Sequence, residues 1–402
     1  MKIIYSHFGT KDGADANGFT RGFNLAKGLV KTGNDVCFLT TQKRGFKFPY
    51  NIEYRGGVKI ISFAEIFPLA FRKGGIAPLS TILKVLYCIF KKADIVHSDM
   101  GHRPSSGWPC YVHRFFHKST YYSEWWEHFG KGGIYDEMPN WYQKTMGLWD
   151  NFFESRNRLN ADACIPISHK LKERAISIGI PSDKILVLNG GADTSIIPFV
   201  KSEKYKGDFG FDSETFIIGL IGMNDTEFEN NKLLFDSVKK LYNKGFKIHV
   251  IATGKLNPKI IKQNDLSNVL TVFNWLPYEN FTKLITIADL FSLLQINSLR
   301  NQSRFPNKLG DYLAAGRPII MNPVGDLELY VTENPNSFYV VNNNFDNIDV
   351  QLEVAYERWK NQEINYNQIY NIALSHSWDN RAKTLNKFYK KNESTYTKIR
   401  IR

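Results

Sequence analysis

LFSLLQINSLRNQSRFPNKLGDYLAAGRPIIM, residues 290–321, is the stretch whose reading decides the fold. A short apolar run passes into a polar loop, and a helix starts at Pro306, whose fixed φ suits a first helical position. That helix stops at Gly316, and the apolar run Pro318–Met321 follows at once. Strand, crossover helix, strand is the repeating unit of a parallel sheet covered on both faces. Within the helix Asn307, Lys308 and Asp311 share one side, while Leu309 and Leu313 can turn inward. A helix that only had to pack needs no such charges at its entrance.

The same alternation runs outward in both directions. Strand-like runs stand at 2–5, 35–40, 58–62, 94–97, 120–123, 163–166 and 185–189. A second series occupies 215–222, 247–253, 269–273, 290–294, 318–321 and 337–341. Two series separated by helical segments predict an α/β protein with two doubly wound domains. The charged, glycine-containing stretch 201–214 sets the boundary, giving domains at 1–200 and 201–375. A final helix over about 376–402, with Trp378, Leu385 and Phe388 as apolar anchors, is assigned to pack back on the first domain.

Bulk properties narrow the function. The chain has 402 residues, a net charge of +13 and 43% hydrophobic residues, enough for two packed cores. The charge calls for an acidic partner: nucleic acid, an anionic membrane or a phosphorylated substrate. Lys and Arg are spread along the chain rather than clustered with interleaved aromatics, which counts against nucleic acid. The four cysteines, Cys37, Cys88, Cys110 and Cys164, show no metal-ligand spacing and read as free thiols in a reducing compartment. MKIIYSHFG at the start reads as a strand rather than a signal peptide. The most apolar stretch, 76–90, is broken by Pro78 and Lys84 and is too short to span a bilayer. A cytoplasmic protein is expected. Segment 66–92, apolar with Lys and Arg at its ends, reads either as a core helix or as a peripheral contact with an anionic inner membrane face.

In open parallel sheets ligands bind beyond the carboxyl ends of the strands, and this rule selects the candidate residues. At the helix entrance Arg300, Arg304 and Lys308 offer positive charge to a phosphate, and Asp311 can accept two hydrogen bonds from a diol. Phosphate plus diol describes a nucleotide; a solvated polar face with an Asp–Lys pair is the alternative. Gly222 ends the strand TFIIGLIG and permits close backbone approach; Lys232, on the next helix, is a phosphate contact or an ordinary surface lysine. Asn17-Gly18 marks either a ligand loop or a tight turn after the first strand, without a G-x-G-x-x-G fingerprint. STYYSEWWEHFGKGG (119–133) places Glu124, Glu127 and His128 among tryptophans, a setting for a sugar ring or for a buried Trp pair with one satisfied glutamate. His97 ends another strand and is either structural or a ligand contact.

Three blocks together resemble retaining glycosyltransferases of family 4: ADACIPISHKLKERAISIGIPSDKILVLNGGAD (161–193), VFNWLPYENFTKLITIADLFSLL (272–294) and FPNKLGDYLAAGRPIIMNPVGDLEL (305–329). The likeness extends over nearly the whole chain. It implies the GT-B fold, two facing Rossmann-like domains with an interdomain cleft, and a nucleotide-sugar donor with no bound cofactor or metal. Asp311 falls on the second carboxylate of the family's Glu-x7-Glu motif, which holds the ribose. Ser303 falls where the first carboxylate is expected, and Met223 where a basic residue is expected after Gly222. The resemblance therefore implies Lys308, with Arg304 or Arg300, at the diphosphate, and Gly18, Gly222, Lys232, Trp275, Ser303 and Asn307 along the donor. The family's histidine in the first domain has no match here; Glu124, Glu127 or His128 stands in its place. The expected function is transfer of a sugar from a nucleoside diphosphate to a glycan or lipid-linked acceptor with retention, in surface polysaccharide or glycolipid synthesis. A sugar-nucleotide 2-epimerase and, further off, a basic nucleic-acid-binding protein are the alternatives.

Overall fold

The computed structural model describes residues 1–11, 19–43, 46–274 and 276–400. The chain divides into two compact units. The first comprises residues 1–190, a short return at 302–305, and the tail from Trp378. The second comprises residues 191–301 and 306–377.

The first unit is built on seven strands: β1 Lys2–Thr10, β2 Asp35–Thr41, β3 Tyr50–Arg55, β4 Val58–Phe63, β5 Ile95–Ser98, β6 Thr120–Trp125 and β7 Ala163–Pro166. Their spatial order is β3-β4-β2-β1-β5-β6-β7, parallel throughout except for the β3–β4 pair. β1 is buried along its length apart from Lys2, as a central strand of a parallel sheet covered on both faces is, and it carries the buried polar residues Ser6, His7 and Thr10. The antiparallel hairpin turns on Gly56 and Gly57, both at positive φ, as a two-residue loop requires. The expected strand at 185–189 runs beside β7: Ile185 bridges Cys164, and the N–H groups of Leu186 and Leu188 donate to the carbonyls of Cys164 and Pro166 at 3.1 and 2.9 Å. On its other side the carbonyls of Leu188 and Asn189 accept hydrogen bonds from Arg21 at 2.8 and 3.2 Å.

The last helix, Trp378–Arg400, belongs to this unit. Trp378, Ala382, Leu385, Phe388 and Tyr389 join the core formed by the Phe19–Lys31 helix and the sheet. A Cβ on Gly28 would come within 2.4 Å of Ala382 Cβ, so the two helices touch where one side chain is missing.

The second unit has six strands: β8 Phe216–Met223, β9 Ile248–Gly254, β10 Leu270–Phe273, β11 Leu290–Leu293, β12 Ile319–Met321 and β13 Phe338–Val340, in the order β10-β9-β8-β11-β12-β13. All six match the runs read from the sequence. The 201–214 stretch is anchored inside this unit rather than linking two. Lys206 Nζ reaches Asp289 Oδ2 at 2.8 Å in a fully buried ion pair, and Ser202 donates to the same carboxylate at 2.5 Å. Buried Arg317 ties the start of the unit down as well, donating to the carbonyls of Val200, Thr286 and Ala288. The division between units thus falls at Gly190 and Gly191, ahead of the charged stretch. Composition marked a surface segment there, but two of its polar side chains turn inward to a buried acid.

No helix among the described residues is long and apolar enough to cross a membrane.

Candidate functional site

The second sheet reverses its strand order between β8 and β11, so a crevice opens beyond the carboxyl ends of these two strands. β8 reaches it at Gly222, which is exposed and held at φ +72°, a conformation that favours glycine. A Cβ there would lie 3.6 Å from Lys308 Nζ. The lysine amine therefore stands next to the bare backbone of Gly222.

Lys308 opens the helix Lys308–Ala314, two residues later than the sequence suggests. Leu309, Gly310, Tyr312 and Leu313 are buried and fix the helix in place. The Tyr312 ring stacks on Phe291 at 4.0 Å, and its hydroxyl accepts the Ile221 N–H at 3.1 Å, tying the helix to the end of β8. Gly310 lies against the backbone of Gly191, whose carbonyl oxygen would be 2.4 Å from an added Cβ. With the inner face so occupied, Lys308 and Asp311 are left half-buried, one turn apart.

Asp311 is the electrostatically unusual member. Burial and the neighbouring Asp193 carboxylate push its pKa up to about 7. A carboxylate in that state gains from any hydroxyl that donates to it. A lysine amine and an acceptor carboxylate on one helix side can together receive an anionic group and a hydroxyl-bearing ring.

The remaining donor-side candidates are dispersed. Asn307 is exposed in the turn before the helix, and Lys232 is exposed at the start of the helix Lys232–Asn243. Arg300 is half-buried in the short helix Leu299–Ser303, within what the sequence presents as a polar loop. Ser303 and Arg304 lie in the 302–305 return to the first unit, where the Ser168 hydroxyl donates to the Ser303 carbonyl at 2.6 Å. Gly18 and Trp275 lie outside the described residues.

In the first unit the strand order reverses between β1 and β5. Three buried histidines lie on β1 and on the loops that follow two other strands: His7 within β1, His102 after β5 and His128 after β6. His7 Nδ1 pairs with the Asp99 carboxylate, while its Nε2 and that of His128 have no hydrogen-bond partner among the described residues. Burial together with Arg103 lowers the pKa of His102, and burial together with Arg174 lowers that of His128, so both favour neutral rings. His128 sits on a loop clamped by Glu154, which accepts from the N–H groups of Phe129 and Gly130 at 2.7 and 2.9 Å. Gly133 folds this loop against the ring; a Cβ there would come within 2.1 Å of the His128 carbonyl oxygen. Glu127 is half-buried beside it, and its carbonyl accepts from Trp125 Nε1 at 2.9 Å.

Glu124 has a different setting. It is fully buried on β6 and accepts from Tyr5 and His97 on one oxygen and from Arg21 and Trp126 on the other, at 2.5 to 2.8 Å. Burial alone would raise its pKa, but Arg21 and His97 hold it far below the usual carboxylate range. His97 is spent on Glu124 and on Tyr389 of the last helix. The sequence reading missed His7, Asp99, His102 and Asp193. A histidine two residues past the apolar core of the first strand, in YSHFG, was the available signal.

Comparison with known proteins agrees with this architecture. Residues 20–196 match the family described as Glycosyltransferase Family 4. Sucrose-phosphate synthase from Thermosynechococcus elongatus superposes with a TM-score of 0.71 at 13% identity, covering 98% of this chain and 99% of that one. Anabaena Alr3699/HepE in complex with UDP-glucose gives 0.66 at 14% identity, covering 98% and 100%. WaaG, a glycosyltransferase involved in lipopolysaccharide biosynthesis, gives 0.65 at 11% identity, covering 96% and 98%. No curated protein matches the sequence. The fold is GT-B. The match to a glycosyltransferase family model on that fold marks a glycosyltransferase.

Proposed function

We propose that this glycosyltransferase takes a sugar from a nucleoside-diphosphate donor and transfers it, with retention, to a glycan or lipid-linked acceptor in surface polysaccharide or glycolipid synthesis. The observation that carries this reading is Lys308 poised beside the bare backbone of Gly222, one helical turn from Asp311. The complex of Anabaena Alr3699/HepE with UDP-glucose supports a donor of this class, and the role given for WaaG supports a surface-glycan acceptor.

In this reading Asp311 accepts the ribose hydroxyls and Lys308 meets the diphosphate. The bond from the anomeric carbon to the phosphate oxygen breaks on the face where the acceptor hydroxyl attacks, and the acceptor's proton passes to the departing phosphate. Lys308 takes up the charge that develops on that oxygen, in place of a metal. His128 and Glu127 contact the sugar or the acceptor. A lipid-linked acceptor places the reaction at the inner face of the membrane.

The test is incubation with a panel of labelled nucleotide sugars, with and without EDTA. Slow release of nucleoside diphosphate that survives the chelator is expected. An interconverted sugar would instead support the epimerase, and inertness toward every donor would remove both readings. With an acceptor found, an inverted anomeric configuration in the product would overturn the retaining mechanism.

A further inference from the structure

Two neighbouring helices of the first unit are turned inside out. The helix Pro78–Phe90 buries Ser80, Thr81, Lys84 and Cys88 and turns Ile82, Leu86 and Phe90 outward, with Phe90 78% exposed. Its only charged residue points inward: Lys84 is 0% exposed, and its amine donates to the carbonyls of His7 and Ser105 at 2.8 and 3.1 Å. The helix Pro104–His117 repeats the arrangement. Ser105, Ser106, Gly107, Cys110 and His113 face the protein, while Trp108, Tyr111, Phe115 and Phe116 face outward, with Phe115 77% exposed. A surface helix normally buries its apolar stripe and wets the polar one. Here a buried lysine and outward rings at three-to-four spacing demand an apolar phase on the outside.

The charge around these faces says which phase. Between Ile66 and Lys118 the chain has eight Lys or Arg residues, of which Lys84 and Arg103 are buried, and two acids, Asp94 and Asp99. Asp99 is buried, and Asp94 accepts from the Lys2 N–H at 2.7 Å. The helices end in Lys91-Lys92 and in Lys118, all exposed. Lys92, Lys118, Lys2, His117 and Phe116 share one hollow of about 800 Å³, whose acidic members are Asp35 and Asp94. Apolar and aromatic side chains bordered by lysines suit the boundary between headgroups and acyl chains of an anionic bilayer. Trp108 and Tyr111 supply the amphipathic rings that favour that depth.

We propose that the outer faces of the Pro78–Phe90 and Pro104–His117 helices, with Lys91, Lys92 and Lys118, form a docking surface for an anionic lipid bilayer. Ile82, Leu86, Phe90 and Phe115 enter the interface and the lysines meet lipid phosphates. The protein then rests on the membrane without crossing it. This surface deepens the lipid-side part of the proposed function but does not depend on the transfer reaction, since vesicle binding and donor turnover are measured separately.

The test is flotation of the full chain with phosphatidylcholine vesicles, with and without phosphatidylglycerol. The wild type should float with the anionic vesicles. A Leu86→Glu/Phe90→Glu/Phe115→Glu variant should lose at least tenfold in partitioning, because each change puts a charge where an apolar group inserted. Reversing Lys91, Lys92 and Lys118 to Glu should abolish the preference for phosphatidylglycerol, each lysine being worth roughly fivefold. Both variants should keep the wild-type urea midpoint and nucleoside-diphosphate release. The proposal is overturned if the wild type floats with neither vesicle, or if the apolar variant floats as well as wild type. It is equally overturned if light scattering shows a dimer that this variant dissolves, which would assign the face to a second copy of the chain.

Discussion

Glu124 and Asp311 are both carboxylates at the carboxyl edge of a parallel sheet, one in each unit, and their surroundings are opposite. Glu124 is enclosed and accepts four hydrogen bonds, from Tyr5, His97, Arg21 and Trp126. Asp311 is half-buried, and the charge that weighs on it is another carboxylate, Asp193. The first is driven far toward ionisation and the second is held back from it. A carboxylate whose donors are all supplied by its own fold has little left to offer a ligand. One that is destabilised in its charged form is stabilised by the arrival of a donor, and so is arranged for binding.

The largest effect should come from breaking the matched site. Glu124→Gln strands the Arg21 guanidinium in the core, and loss of one partner from a buried ion pair costs about 3–5 kcal/mol. A urea titration should show that loss as a lower midpoint. If the midpoint is unchanged while turnover disappears, Glu124 is a catalytic group and the contrast drawn above is wrong.

Lys308 should behave in the opposite way. It is half-buried beside Gly222, so Lys308→Ala removes charge from the crevice without emptying a core. Loss of a donor aimed at developing charge costs roughly 10²–10³ in kcat, equal to about 3–4 kcal/mol. Steady-state kinetics should show that fall with KM for the donor changed much less. A variant with wild-type kcat would place the diphosphate elsewhere.

How much of this was legible in the sequence depends on what each residue touches. The six strands of the second unit, and the strand–helix–strand block that carries Lys308 and Asp311, follow from hydrophobic periodicity and from Pro and Gly punctuation, which are local signals. The hairpin at Gly56-Gly57 carries a local signal of the same kind, two consecutive glycines at positive φ. Glu124 could not be resolved that way. Its donors come from positions 5, 21, 97 and 126, and only the folded sheet brings them together. The same holds for Lys206, which looked like linker and is half of a buried pair with Asp289. Lys84 shows the third case. Apolar spacing located its helix, but which face turns inward was settled by the carbonyls of His7 and Ser105.

Asp311 gives the smallest effects and the sharpest test of the comparison, because stability and binding should move in opposite directions with pH. Its folded pKa of about 7 lies above the ordinary aspartate value of 3.8, so the folded protein binds its proton more tightly than the unfolded chain does. The contribution of this group to stability is therefore fully present below about 4 and is lost as pH rises toward and through 7. Donor binding runs the other way, since the ribose hydroxyls need the ionised acceptor, and affinity should rise through the same pH. Asp311→Asn should flatten both trends. At pH 8 it should unfold at a higher temperature than wild type, because a disfavoured charge has gone. It should also bind nucleoside diphosphate roughly 10–100-fold more weakly, as expected for loss of a charge-assisted hydrogen bond. Thermal melts and calorimetric titrations across the range from pH 5 to pH 9 measure both quantities on the same samples. A variant that is less stable than wild type at pH 8 would mean that Asp311, like Glu124, is satisfied by its own fold.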